Sequence, residues 1–338
     1  MNATMSPDVK HYPVMLNQLL SILTPQHGGT FIDCTFGGGG YSSAILSYPK
    51  TKVIAIDRDK NVSSLAEKIK KKFPKRFKFI NDKFSSLDQI KDLKIKPKAI
   101  IFDLGFSTHQ IKDHKRGFSF DSSSPLDMRM GKNAISAFDV VNNFTEESLA
   151  LIFKKLGEEK DSKRIAKEIV FKRKNNQIIY ANDLAKIISR VKKNYFYSKT
   201  NPATKVFQAL RMFVNQEVTE LITGLVSATK LLEKNGKIIV VSFHSIEDRI
   251  IKKYFQTYSN LNSNPSRYVP SEKKNNSKTL FFLKSNSALI PSKDEIIKNR
   301  ASRSAKMRFA VRNENNFFYP DLFADYFRDY LTLEGLRL

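Results

Sequence analysis

The chain has 338 residues, 41% of them apolar, and a formal net charge of +25 from 58 basic and 33 acidic side chains. That length supports one large core or two moderate ones, and the positive excess points to a polyanionic partner, RNA or DNA. A single cysteine rules out a disulfide framework, five scattered histidines offer no zinc spacing, and no apolar run reaches membrane-spanning length.

The opening MNATMSPDVK has neither the apolar core of a signal peptide nor an arginine-rich amphipathic pattern, so a cytoplasmic protein is expected. His11 and Tyr12 precede a helical pattern (Met15, Leu19, Leu20, Leu23) that stops at Pro25 and Gly28-Gly29. Residues 30–59 then organise the chain. A short apolar run ends at Asp33 with Cys34 as a small core residue, and four glycines follow, Gly37 to Gly40. A helical segment leads to a second apolar run, 53–56, which ends at Asp57. Strand, glycine turn, helix, strand and acid make one half of a Rossmann-like sheet, in which the second acid accepts hydrogen bonds from a ribose diol. NAD and S-adenosylmethionine (SAM) both fit that plan. The dinucleotide fingerprint fails because Ser42 stands where its third glycine belongs, and no G-K-[ST] makes a P-loop. SAM is the better reading.

A lysine-rich helix over 60–72 buries Val62, Leu65, Ile69 and Phe73, and a third strand covers 77–80. Phe84 lies just past that strand, where an adenine ring is expected. A fourth strand, 99–102, ends in Asp103-Leu104-Gly105-Phe106, the second place where chemistry can reside. From 111 to 200 no strand pattern occurs, only a loop and helices over 146–156, 162–172 and 181–192. This predicts an inserted helical domain facing the polyanion. One long helix is expected next, capped by Asn201 with Pro202 at its first turn and striped by Phe207, Leu210, Val214, Val218, Leu221 and Leu225. Gln208, Arg211 and Asn215 line an adjacent stripe that can face substrate. A fifth strand, 237–241, ends at Ser242-Phe243-His244-Ser245, where Ser245 and Asp248 read as a capping box and His244 sits at the productive end of the sheet. Residues 260–278 read as a loop, and 280–283 with 307–311 as a terminal strand pair. Between that pair lies a basic stretch, 299–306, containing Arg300, Arg303 and Lys306. The aromatic, acidic tail past Arg312 reads as a C-terminal helix or a docking segment.

Taken together, several strings carry a family resemblance: HYPVM at 11–15, DCTFG at 33–37, DLG at 103–105, RGFSF at 116–120, PLDMR at 125–129, FQALR at 207–211, SFHS at 242–245 and RSAK at 303–306. With these in order, the chain resembles the RsmH/MraW family, bacterial methyltransferases of cytosine N4 in 16S ribosomal RNA. The resemblance implies an α/β class I SAM-dependent methyltransferase, with a Rossmann-like, mostly parallel sheet and an inserted all-helical domain. The expected organisation is a core over 1–110 and 201–312, an insertion over 111–200 and an extension over 313–338. It implies SAM contacts at Gly39, Gly40, Tyr41, Asp57, Phe84, Asp103 and Gln110. The substrate it implies is small-subunit ribosomal RNA near the decoding centre, within an assembled or assembling 30S particle. Tyr41 replaces a histidine of the family pattern, Phe106 a small aliphatic residue, and Thr108-His109 a Ser-Pro pair. Asp103 is the expected catalytic residue. Phe106, Arg211, His244, Arg300, Arg303 and Lys306 are the expected substrate contacts. A NAD-dependent dehydrogenase, a small-molecule methyltransferase and a catalytically silent RNA-binding protein are the competing classes. None of the three needs the glycine turn, both acids and the basic segment together.

Overall fold

The computed structural model describes residues 13–90, 96–105, 116–120, 123–131, 133, 135–192, 201–259 and 279–337. They divide into two compact units, Met1–Gly105 with Leu221–Phe323 and Phe106–Glu220 with Ala324–Leu338. The expected boundary after residue 200 thus falls in this division between Glu220 and Leu221, inside a helix. The reason is that the helix Thr204–Asn215 packs on the helix Glu146–Gly157, and so groups with the helical unit.

The first unit is built on seven strands: β1 (Gly29–Asp33), β2 (Thr51–Ile56), β3 (Phe77–Ile80), β4 (Ala99–Asp103), β5 (Lys237–Ser242), β6 (Phe281–Phe282) and β7 (Lys306–Arg312). Their order is β3-β2-β1-β4-β5-β7-β6. The first five are parallel, and β7 runs antiparallel to both its neighbours. This is a Rossmann-like, mostly parallel sheet, as the sequence predicts. Strands covered on both faces read as unbroken apolar runs, and Ile100 to Phe102 and Ile238 to Val241 are fully buried. One face packs Phe31, Val53, Ile101, Ile239 and Met307 into a core with Leu16, Leu19 and Leu23 of the helix Leu16–Leu23. Strand order reverses between β1 and β4, and ligands of open α/β sheets bind at such a switch point.

The second unit is helical among its described residues, with Ala137–Asn143, Glu146–Gly157, Ser162–Arg173, Ala181–Val191 and Thr204–Asn215. The long helix expected from 201 to 225 is two helices. Gln216 has a left-handed φ of 51° that ends Thr204–Asn215, and a new helix, Glu217–Leu231, starts after it. Asn201 caps only a turn, accepting from the Ala203 N–H at 2.8 Å. The fresh helix start exposes new N–H groups, and the tail supplies their acceptor. The Glu334 carboxylate takes the N–H groups of Val218 (3.0 Å) and Thr219 (2.9 Å) and the Thr219 hydroxyl (2.7 Å). An anion at a helix N-terminus satisfies both the orphan donors and the helix dipole. Within the first unit, Phe323 of the same tail is fully buried against the Tyr254 ring, 4.6 Å between centroids. The tail is therefore packed structure in both units.

Candidate active site

Three adjacent strands end in an acid: Asp33 closes β1, Asp57 follows β2 and Asp103 closes β4. Asp33 sits opposite Ala55 of β2 and Ile101 of β4, so the three carboxyls gather at one end of the sheet. Asp33 is 1% exposed and accepts from the Ser42 hydroxyl at 2.7 Å and the Thr35 N–H at 3.3 Å. Thr35 in turn accepts the Asp103 N–H on its hydroxyl at 2.6 Å, stitching the ends of β1 and β4 together. Reading the sequence missed Asp33 as part of the site. The signal was present, since Ile-Asp, Ile-Asp and Phe-Asp each terminate a strand.

The glycine turn is held from within the sheet. Gly37 donates its N–H to Asp57 at 2.8 Å, and Asp59 donates to the other Asp57 oxygen at 2.9 Å. Each oxygen keeps a lone pair for a ligand hydroxyl, which matches the ribose role expected of Asp57. Gly39 has φ 72°, and a Cβ there would lie 2.7 Å from Ile69 and 2.9 Å from Phe36. A Cβ on Gly40 would lie 2.4 Å from Pro13. Close packing of the turn thus demands both glycines, in addition to any ligand. Tyr41 is buried with its hydroxyl donated to the Val14 carbonyl, so it ties the chain entering Leu16–Leu23 to the turn. Phe84 packs edge-on to Phe102 at 5.3 Å, and only a glycine at 224 makes room for its ring.

Asp103 stands apart. Its Oδ1 is buried and has no hydrogen-bond partner among the described residues. Burial, then the charges of Asp33 and Glu247, push its carboxyl well above the usual carboxylate range. After it the chain must turn sharply, and Gly105 has φ 98°, a conformation open to glycine. Burial also lifts Asp33 to about 6 and Asp57 to about 6, each raised further by a neighbouring acid. Three buried carboxyls, one with an oxygen that has no partner among the described residues, leave a deficit of positive charge that Arg58, beside Asp57, only partly offsets. SAM, which brings a sulfonium and an ammonium, fits that deficit, whereas a dinucleotide's pyrophosphate would add to the repulsion. Asp57 and Asp103 are the residues that would hold it, around the turn Gly37 to Gly40.

This electrostatic strain has a sign that can be measured. Between about pH 4 and 7 the folded, cofactor-free protein binds protons at Asp33 and Asp57, and at Glu334, which burial and then Glu217 raise to about 7. The unfolded chain has already released them, so stability falls as pH rises through that window. Asp127 and Asp248, lowered by arginine and lysine partners, act in the opposite sense only below about pH 4. The cofactor-free protein should therefore melt at a higher temperature at pH 5.5 than at pH 8. A melting temperature that rises over that interval would contradict the assigned burial.

The remaining expected contacts separate. His244 is the N-cap of the helix Ser245–Thr257: its Nδ1 accepts the Glu247 N–H at 3.4 Å, and Glu247 reaches back to the His244 and Phe243 N–H groups. The capping box is thus His244 with Glu247 rather than Ser245 with Asp248, because Asp248 faces β7 and binds Lys306 (3.0 Å) and Arg308 (2.6 Å). Arg211 is 6% exposed, and its guanidinium grips Glu217 bidentately at 2.8 and 2.9 Å. Its neighbour Asn215 accepts the Met130 N–H and donates to the Met128 carbonyl, both at 2.8 Å. In the polar stripe expected to face substrate, Asn215 thus holds the backbone of Met128 and Met130 while Arg211 is engaged by Glu217. Gln208 likewise donates to the Leu156 carbonyl at 3.2 Å.

Arg300 and Arg303 are exposed on a 3₁₀ turn, Arg300–Ser304, capped by Asn299 and pinned by the buried Ser302. Residues three apart on such a turn eclipse, so the two guanidiniums share one face. Among the described residues neither pairs with a carboxylate. His11, Phe106, the Thr108-His109 pair, Gln110 and the 260–278 loop lie outside the described residues.

The MraW methylase family profile matches residues 8–313. The chain belongs to the MraW methylase family. Among similar proteins, the ribosomal RNA small subunit methyltransferase H of Rickettsia canadensis (strain McKiel) is 42% identical over 301 residues, 89% of this chain and 97% of that protein. The one from Ehrlichia canis (strain Jake) is 42% identical over 306 residues, covering 89% and 99%. A solved rRNA methylase from Streptococcus thermophilus is similar only loosely, with TM-score 0.35 and 10% identity over 88% of this chain and 96% of that one. The family match stops at residue 313, so Phe323 and Glu334 belong to a segment outside it. No helix among the described residues is long and apolar enough to cross a membrane.

Proposed function

We propose that this MraW-family enzyme methylates the exocyclic N4 amine of a cytidine in small-subunit ribosomal RNA, near the decoding centre of an assembled or assembling 30S particle in the cytoplasm. The observation that carries the reading is the buried Oδ1 of Asp103, unpartnered among the described residues, at the switch point of the sheet beside the glycine turn and Asp57. The relatives named for small-subunit ribosomal RNA support the substrate class.

SAM supplies the methyl group on its sulfonium. The cytosine amine is a poor nucleophile because its lone pair is delocalised into the ring. Two acceptors on its N–H groups turn it toward tetrahedral geometry and localise the pair. Asp103 Oδ1 is one acceptor, and the carbonyl of Leu104 or Gly105, at the same strand end, is the second. A carboxyl with a raised pKa is also a stronger base than an exposed one, so Asp103 can take the proton the amine releases. In this reading Gly39, Gly40, Asp57, Phe84 and Gln110 hold the cofactor, and Tyr41 fixes the turn. Phe106 stacks on the base. His244 acts through the chain end it caps, while Arg300 and Arg303 bind phosphates. Exposed Lys163, Lys167 and Lys174 of the helical unit add positive charge for the RNA.

Nucleoside mass spectrometry of small-subunit RNA, from cells with and without the protein, tests the assignment. N4-methylcytidine that appears only with the protein is expected, and its absence defeats the reading. RNA binding gives a second check. Substituting Arg300→Ala and Arg303→Ala together should flatten the log–log salt dependence by about 1.4, at about 0.7 per phosphate contact on single strands. Adding Lys306→Ala should change it little further, since that ammonium is engaged by Asp248. An undiminished slope in the double variant would remove the turn from the RNA interface.

A further inference from the structure

The short helix Lys293–Lys298 carries a glutamate whose carboxylate binds outside its own helix. Ser292-Lys293-Asp294-Glu295 is a capping-box sequence, in which the serine hydroxyl takes the glutamate N–H and the glutamate returns to the serine N–H. Ser136 with Asp139 and His244 with Glu247 complete that exchange. Here only the first half is made, from the Glu295 N–H to Ser292 Oγ at 3.2 Å. The Glu295 carboxylate instead accepts the N–H of Met15, 280 positions away. Met15 is fully buried and left-handed, with φ 52° and ψ 35°, a conformation that persists at such a residue only where its surroundings impose it.

The backbone that Glu295 holds lies on the glycine turn. Pro13 sits so close to Gly40 that a Cβ there would lie 2.4 Å from its ring, and the Val14 carbonyl accepts the Tyr41 hydroxyl. Burial, then the charges of Asp103, Asp33 and Glu295, push that hydroxyl well above its ordinary range, so Glu295 is near enough to the strand-end acids for its charge to be felt there. Pro13 to Met15 therefore form a strap with two fastenings. One is Tyr41, on the helix Gly40–Leu46 that follows the turn, and the other is Glu295, from the far part of the chain. We infer that Glu295 is a positioning residue for SAM: through the Met15 N–H it holds the strap on Gly40, so that the cofactor meets a turn already in shape. A turn ordered in advance costs less to bind than one the ligand must order. The helix bearing Glu295 leads straight into the 3₁₀ turn of Arg300 and Arg303, yet its carboxylate is spent on the cofactor side. This role depends on the cofactor and not on which RNA is methylated.

The test compares the wild-type chain with Glu295→Ala, Glu295→Gln and Tyr41→Phe. Titration calorimetry should show Glu295→Ala binding SAM about 10-fold more weakly, the low end for a lost hydrogen bond to a charged group. Glu295→Gln keeps an acceptor oxygen and should recover most of that loss. At saturating SAM, kcat and the KM for RNA should be unchanged, since the strap acts on cofactor binding alone. Amide exchange gives a readout without cofactor: residues 13–20 should exchange faster in Glu295→Ala than in wild type, while β5 keeps its protection. Combining Glu295→Ala with Tyr41→Phe should cost little more than the worse single change, because both fasten the same strap. If Glu295→Ala binds SAM as wild type does, Glu295 positions nothing. Losses that add in the double variant, or faster exchange over β5 as well, mean a general loosening of the fold and equally overturn the role. Should Glu295→Ala fail to fold, Tyr41→Phe decides: it must weaken SAM and speed exchange over 13–20, and normal binding there overturns the strap.

Discussion

In an Asp103→Ala protein, methyl transfer at saturating SAM is expected to fall by about 10²-fold or more, the range in which a positioned acid or base contributes. RNA affinity should hardly change, because the acceptor matters most as the amine leaves planarity. The same substitution should not lower the cofactor-free melting temperature. A buried carboxyl with an orphaned oxygen and two acidic neighbours destabilises the fold it sits in, so its removal relieves strain. Loss of turnover without loss of stability is the signature that separates a working residue from a structural one. Asp103→Asn refines the result. It keeps an acceptor oxygen but no longer takes a proton, so a residual rate well above the alanine variant assigns orientation, and an equal loss assigns the base. In wild type, activity should rise as pH passes through the raised pKa of Asp103, and that limb should vanish in the asparagine variant. Near-normal turnover in Asp103→Ala, with SAM affinity measured alongside, would exclude the catalytic role.

The second large effect belongs to Asp57. Asp57→Ala should weaken SAM binding by roughly 1.5–3 kcal/mol, the scale of hydrogen bonds to a charged group. Part of the loss is direct, through the ribose hydroxyls. Part is indirect, because the Gly37 N–H loses its acceptor and the turn is no longer tied to the end of β2. Titration calorimetry reads the sum, and an unchanged affinity would remove Asp57 from the cofactor site. Asp57→Asn separates the two parts, since its side-chain oxygen can still accept from Gly37 while the charge is gone.

The sheet and its two principal acids were legible in the residues because parallel strands buried on both faces leave continuous apolar runs with a polar residue at the end. Phe31-Ile32-Asp33, Ala55-Ile56-Asp57 and Ile101-Phe102-Asp103 each carry that mark, and Gly105 follows where the chain must turn through positive φ. The helical insertion was legible for a related reason: 3.6-residue periodicity is local, and a long absence of strand runs is visible without any contact. Sequence spacing says which face of a helix a residue occupies but not what that face meets. Arg211 and Asn215 share a polar stripe, and only the fold decides that Glu217 and the 128–130 backbone are there to receive them. Lys306 counts as a cation in the sequence, yet β7 lays it beside Asp248, fifty-eight positions away. The break at Gln216 is likewise invisible in the stripe from Phe207 to Leu225. It is stabilised by Glu334, whose carboxylate returns from the chain's far end to satisfy the N–H groups that the break exposes. Local patterns are set by the backbone's own period, while the fate of each charge is set by the partners that folding delivers from far along the chain.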